Sequence, residues 1–219
     1  MRIAIGGAGA VGRSVAQELV DNGHKVLLIE QKWARYEPSA VPGAEWLLAD
    51  ACELTSLEEA GLQMCDVVIA ATGDDKSNVT MSLLAKTEFG VDRVVARVND
   101  FRNEWLFTDA WGIDVAVSTP VAMVASVEGA IDVGHVVRLM GLRKGSANLA
   151  QLTLPADNPL VGTRVGDLAD PANSALVTVL RGDRVILPTS EDVLEEGDEL
   201  LFVANDEVEA KIRAIVHGP

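Results

Sequence analysis

Aromatic residues supply only 4% of this 219-residue chain, against an apolar share of 48% drawn mostly from Ala, Val and Leu. Any core must therefore be built from small and aliphatic side chains. Long hydrophobic runs are missing as well. Val67 to Ala71 and Val94 to Val98 fall far short of the roughly 20 residues that a membrane helix needs, so no direct membrane insertion is expected. The start of the chain has no basic segment leading into an apolar one; Arg2 runs straight into a short strand and a glycine loop, which points to a cytoplasmic protein. Cysteine is scarce: Cys52 and Cys65 are too far apart for a C-x-x-C redox or zinc pair and read as small buried hydrophobes. Basic charge is scarce too, with 18 Lys and Arg against 33 Asp and Glu and a net charge of -15. The acidity falls on both halves, so there is no basic stripe for nucleic acid. It also opposes contact with an anionic lipid surface, so membrane association would have to run through another protein.

What is present is a regular alternation. Arg2 to Ile5 reads as a buried strand, Val11 to Val20 as an amphipathic helix stopped by Gly23, and Lys25 to Ile29 as a second strand ended by Glu30. The same rhythm continues through a strand at Trp46 to Ala49, a helix at Glu53 to Gly61, a strand at Val67 to Ala71, a helix at Ser77 to Glu88 and a strand at Arg93 to Val98. A helix at Arg102 to Trp111, a strand at Ile113 to Val117 and a helix from Pro120 to about Gly134 extend it. Alternating strands and helices predict an α/β, doubly wound parallel sheet of the Rossmann type with about six strands. Beyond His135 the pattern changes to short strand-like runs at Ala150 to Leu154, Ala175 to Leu180, Val185 to Leu187 and Glu199 to Val203, separated by Gly, Pro and Asp turns. The expected organisation is a nucleotide-binding domain over 1–134, including a crossover helix, and a small α+β domain over 135–219. No internal repeat or low-complexity segment interrupts it.

The chemistry concentrates at strand ends. In Gly7-Ala8-Gly9-Ala10-Val11-Gly12 the first glycine permits a tight turn, the second lets the backbone approach a pyrophosphate, and the third lets the helix pack close to the strand. The helix N-terminus adds free N–H groups and a partial positive charge. Glu30, at the end of the second strand, can accept hydrogen bonds from both ribose hydroxyls and would repel a 2′-phosphate, which favours NAD(H) over NADP(H). Asp50-Ala51 and Ala71-Thr72-Gly73-Asp74-Asp75 follow the third and fourth strands on the same side, so both should border the cleft. The plainer alternative is that each is only a turn.

In order, these pieces resemble the regulator-of-potassium-conductance (RCK, or KTN) family of TrkA type. The resemblance rests on Gly7 to Gly12, Glu30, Leu48-Ala49-Asp50-Ala51, Asp74-Asp75 with Asn78, and Ala96-Arg97-Val98. In the second half it rests on Asn158-Pro159-Leu160-Val161-Gly162 and on Leu194 to Leu201. It implies a cytosolic regulatory subunit that binds NAD(H), ATP or ADP and gates a separate potassium-translocating membrane protein, to which it is peripherally attached. It also implies that Gly7, Gly9 and Gly12 surround the phosphates, that Glu30 holds the ribose, that Asp50 and Ala51 lie beside the adenine, and that Thr72 to Asp74 and Arg97 close the pocket. A gate must be pulled at several points, so a homo-oligomer or an assembly with a related regulatory subunit is expected. One departure stands out: many members carry Arg where this chain has Ala10.

The alternative is an NAD-dependent oxidoreductase, since fold alone does not give function. That reading lacks an acid–base group. Tyr36 has no Lys four residues on, and His24, His135 and His217 lie outside the predicted cleft loops. No catalytic residue and no metal cluster is expected, although Asp74-Asp75 or the acidic run Glu195 to Glu199 could hold a weak divalent cation.

Overall fold

The computed structural model describes residues 1–131, 134–142, 147–168 and 174–205. The chain divides into two compact units, Met1–Pro120 and Val121–Pro219. The first holds six parallel strands: β1 (Arg2–Gly6), β2 (Lys25–Glu30), β3 (Glu45–Leu48), β4 (Val67–Ala70), β5 (Arg93–Val98) and β6 (Val115–Ser118), in the order β3-β2-β1-β4-β5-β6. The strand order reverses between β1 and β4. In open α/β sheets the crevice beyond the strand ends at such a reversal is where ligands sit.

Strand alternation sorts the core into two layers. Ile3 and Ile5 of β1 face α1 (Ala10–Asp21) with Val26 and Leu28 of β2, while Ala4, Leu27 and Ile29 face the opposite cluster with Val68, Ala70, Val94 and Ala96. That second layer is closed by α2 (Leu54–Glu59) and α3 (Asp75–Thr87). Helix α1 ends as its sequence dictates. Gly23 adopts φ +82°, its N–H reaches Val20 O, and the His24 N–H reaches Leu19 O, a paired closure that satisfies two orphan carbonyls. Helix α4 (Thr119–Ile131) starts in the first unit with Pro120 in its first turn, where a missing N–H costs nothing, and runs into the second. The end of this helix expected near Gly134 falls partly on residues outside those described.

Most expected elements appear with small shifts, and two differ in kind. Arg102 to Trp111 is not an α-helix but two 3-10 segments, Phe101–Leu106 and Asp109–Trp111. The Asp100 carboxylate accepts the Arg102 N–H at 3.0 Å and also binds its guanidinium, a local closure that competes with helical hydrogen bonding. In the second unit, β7 (Val136–Leu142) has no counterpart in the sequence reading. A register shift between Arg138 and Met140 breaks the period-2 pattern by which a strand is recognised.

The second unit is a five-stranded antiparallel sheet of β7, β8 (Ala147–Thr153), β9 (Ser174–Arg181), β10 (Arg184–Ile186) and β11 (Glu199–Ala204), in the order β10-β9-β11-β8-β7. One face is apolar: Leu152, Leu154, Leu194 and Leu200 are fully enclosed. The acidic run Glu195 to Glu199 forms the turn into β11. Asp198 is 0% exposed, accepts the Glu195 N–H at 2.9 Å, and takes Arg181 Nε and Nη2 at 2.7 and 2.8 Å; Arg181 also holds Glu195. This carboxylate is used up in closing a turn, and no group of three or more metal-type ligands occurs among the described residues. Replacing Asp198 with Ala strands three donors, and denaturant unfolding should show a loss of about 1.5–3 kcal/mol. An unchanged midpoint would show that the turn does not need this anchor.

Candidate functional site

Two of the three glycines of the first turn are required by the fold, and the third is not. Gly7 adopts φ +98°, and a Cβ there would lie 2.8 Å from the Thr72 Cα. At Gly12 a Cβ would lie 1.9 Å from Gly7 O, so α1 can cross β1 this closely only without a side chain. Gly9 is the opposite case. Its φ is -69°, which any residue adopts, and a Cβ there would meet nothing within 4 Å. Gly9 is the N-cap of α1, and it contributes no side-chain cap. The first four N–H groups of a helix have no intrahelical partner. The open side of Gly9 therefore faces backbone donors and the positive end of a helix dipole, an arrangement suited to an anion.

Glu30 is 5% exposed and fixes the loop from the side. One oxygen accepts the Ala8 N–H at 2.9 Å and the other accepts the Lys32 N–H at 2.9 Å. A carboxylate has about four acceptor positions, so two remain for further donors. Asp50 joins the ends of β3 and β2: one oxygen accepts the Cys52 N–H at 2.8 Å, the other the Gln31 amide at 2.6 Å. Ala51 is buried beside it. Cys65 is buried as expected, but Cys52 is only half-buried. Its thiol points at Ser77 O, and desolvation, with Asp50 nearby, pushes its pKa up.

Across the strand reversal, Thr72 touches the loop through the Gly7 contact and is held by Asn78. The Asn78 side-chain oxygen accepts Thr72 N–H at 2.9 Å and its hydroxyl at 2.7 Å, while the amide nitrogen donates to Arg97 O at 2.8 Å. Gly73 has open space around it, and Asp74 caps α3 by accepting from Ser77 N–H at 2.8 Å. Arg97 lies on the sheet face opposite α3, and its Nε donates to Thr119 Oγ at 3.0 Å. The residues expected to line the cleft thus lie at the carboxyl edge of β1 to β5, on strand ends, on the loops that follow them or, for Ala10, Val11, Gly12 and Asp75, in the first turn of a helix. The structure adds Asn78 and Asn99, which the sequence alone does not place in the cleft. A run of polar residues at the start of a helix was the only available signal.

Asp75 is not free to bind a cation. Its carboxylate accepts Asn99 N–H at 2.7 Å, the Asn99 amide at 2.9 Å, Asp100 N–H at 3.0 Å and the Asn103 amide at 2.8 Å. Burial alone would raise its pKa, but these bonds outweigh it and hold the carboxyl below its usual value.

Six parallel strands that reverse at a glycine turn define a Rossmann-type nucleotide-fold unit, here followed by a small antiparallel sheet. The TrkA-N domain family matches residues 3–119 and the TrkA-C domain family residues 149–217. The chain is 56% identical over 216 residues to the Trk system potassium uptake protein TrkA of Mycobacterium tuberculosis, covering 99% of this chain and 98% of that one. Among solved structures, the GsuK channel bound to NAD aligns over 100% of this chain and 39% of its own, with a TM-score of 0.66 at 15% identity. GsuK bound to ADP aligns over 59% of this chain and 33% of its own, with a TM-score of 0.51 at 27% identity. This chain belongs to the TrkA family.

Because the folded pKa of Asp75 is depressed, its stabilisation is complete above the unfolded value, about pH 4, and is lost as pH falls through the folded one. Asp75→Asn presents a donor to N–H groups, and should cost about 1–3 kcal/mol at pH 7. In urea unfolding the gap from wild type should narrow below pH 4. A gap that stays constant down to pH 3 would mean that the carboxylate charge is not what holds the network.

Proposed function

We propose that this chain is a cytoplasmic regulatory subunit of a potassium uptake system, and that NAD(H), ATP or ADP bound at Gly7 to Gly12 controls a membrane partner. The observation that carries the reading is the end-to-end identity with a Trk system protein. The open anion position at Gly9 supports the nucleotide half of it. In this reading Glu30 takes the ribose hydroxyls on its two remaining acceptor positions, Asp50 and Ala51 border the adenine, and Thr72, Gly73, Asp74 and Arg97 meet the distal part of the ligand. Ala8, Ala10 and Val11 contribute backbone only.

No described helix is long and apolar enough to cross a membrane, and this reading assigns translocation to a separate subunit. A ligand shifts a conformational equilibrium only by its difference in affinity for the two states. Arg97 offers such a difference, because its guanidinium bonds the first residue of α4. We assign α4 to the nucleotide-binding domain, residues 1–134, with 135–219 as the second domain. Tyr36, which an oxidoreductase would need as an acid, instead stacks on Trp33 at 5.8 Å and meets Trp46 edge-on, a packing role.

Assembly has support on two surfaces. β6 is an edge strand with Val115 and Val117 exposed at 44% and 48%, and α4 exposes Met123 and Val124 at 69% and 53%. Apolar surface of this kind marks interaction sites.

Calorimetric titration with NADH, NAD, ATP and ADP tests the site. Wild type should bind at least one of them, and Gly9→Glu should bind none while keeping its melting temperature, since the new side chain enters open space with a charge that repels phosphate. Equal affinity in both proteins would sink the assignment. Assembly is tested by light scattering at micromolar concentration: a dimer or larger species is expected, reduced in mass by Val117→Asp or Met123→Asp. A monomeric wild type, alone and with nucleotide, would count against self-assembly.

A further inference from the structure

Arg13 lies one residue beyond Gly12, and its Nη1 is 3.0 Å from an oxygen of Glu37, in the connection that follows Glu30. We propose that this ion pair is exchanged on binding: an outer phosphate of the nucleotide takes the guanidinium from Glu37, and Arg13 thereby sets the preference for longer phosphate chains. The inference rests on the reading of the glycine turn as a nucleotide site and identifies the residue that reads phosphate number.

The geometry follows from the helix. Arg13 stands three residues after Ala10, hence on the same face and about 4.5 Å further along the axis. Helical side chains lean toward the N-terminus, so the Arg13 chain runs back over Ala10 toward the open side of Gly9. Ala10 carries only an exposed methyl and leaves that path clear. Among the other charged side chains of the site, Glu30, Asp50 and Asp74 repel a polyphosphate, and the guanidinium of Arg97 is engaged by Thr119 Oγ at 3.0 Å. Arg13, whose present partner is an exposed carboxylate, is the cation more easily drawn in as the phosphate chain lengthens.

Relative strengths favour the exchange. The Arg13 and Glu37 side chains are 33% and 61% exposed, and a pair this open contributes at most about a fivefold equilibrium preference. A charge-assisted bond to phosphate is worth about tenfold to a hundredfold. Phosphate wins. Glu37 keeps the guanidinium beside the loop until the ligand arrives, and it competes with the ligand for it.

Calorimetry with ATP, ADP and AMP on wild type, Arg13→Gln, Glu37→Gln and the double variant tests the exchange. Both residues are at the surface, and unchanged melting temperatures verify folding. Arg13→Gln should weaken ATP by about tenfold or more and AMP by no more than about twofold. Glu37→Gln should tighten ATP by about two- to fivefold, and this gain should vanish in the Arg13→Gln background. Equal losses for ATP and AMP in Arg13→Gln would overturn the proposal, as would a Glu37→Gln gain that survives without Arg13. Absence of any binding to wild type would instead overturn the nucleotide reading beneath it.

Discussion

The approach of α1 to β1 at Gly12 is the constraint on which the rest of the first unit depends. With a Cβ 1.9 Å from Gly7 O, no other residue fits without moving the helix. That contact aims the N-terminus of α1 at the strand reversal and leaves Gly9 facing open space. It also explains why the loop tolerates a plain sequence. Ala8, Ala10 and Val11 need only backbone, since the loop's shape comes from Gly7 and Gly12 and its lateral anchor from Glu30 bonding the Ala8 N–H. A carboxylate that braces the loop and still has acceptor positions left is pre-organised, so in the proposed reading a nucleotide would have less ordering to impose.

The opposite wall is held by different physics. Thr72, Asn78, Asn99 and Asp75 form a polar network in which side chains do the work of backbone pairing, tying the β4–α3 turn to the end of β5. Buried polar groups stabilise only when satisfied. Asn78 and Asp75 meet that condition, so the acidic pair Asp74-Asp75 reads as a helix cap plus a bracket and not as a cation site.

How much of this was legible in the sequence varies with range. The six-strand alternation, the glycine turn and Glu30 could be read because each is a local pattern with a local physical cause. β7 could not, because its bulge at Arg138 and Met140 hides the alternation. The 3-10 segments after β5 have the apolar spacing of a helix, and that spacing does not show that Asp100 closes on Arg102. Asn78 was visible as a residue but not as the pin between Thr72 and Arg97. That role needs partners 6 and 19 positions away to converge. His217 and residues 132–133, over which the crossover helix is expected to run on toward Gly134, lie outside the described residues.

Arg13 and Arg97 are held by partners of different kinds. Arg13 is held by an exposed carboxylate, a contact that water and phosphate can replace at small cost. Arg97 is held by a neutral hydroxyl at the first residue of α4, while its own carbonyl is pinned by Asn78. A bond between a charged donor and a neutral acceptor is weaker than one to phosphate, so a ligand reaching this far along the cleft would draw the guanidinium from Thr119. Releasing Arg13 frees a surface loop, whereas releasing Arg97 frees the start of a helix. Thr119 opens α4, whose residues continue from the first unit into the second. In the proposed nucleotide reading, a ligand would have to extend from the glycine turn to β5 to reach Arg97, and one that stops short would leave its bond to Thr119 in place.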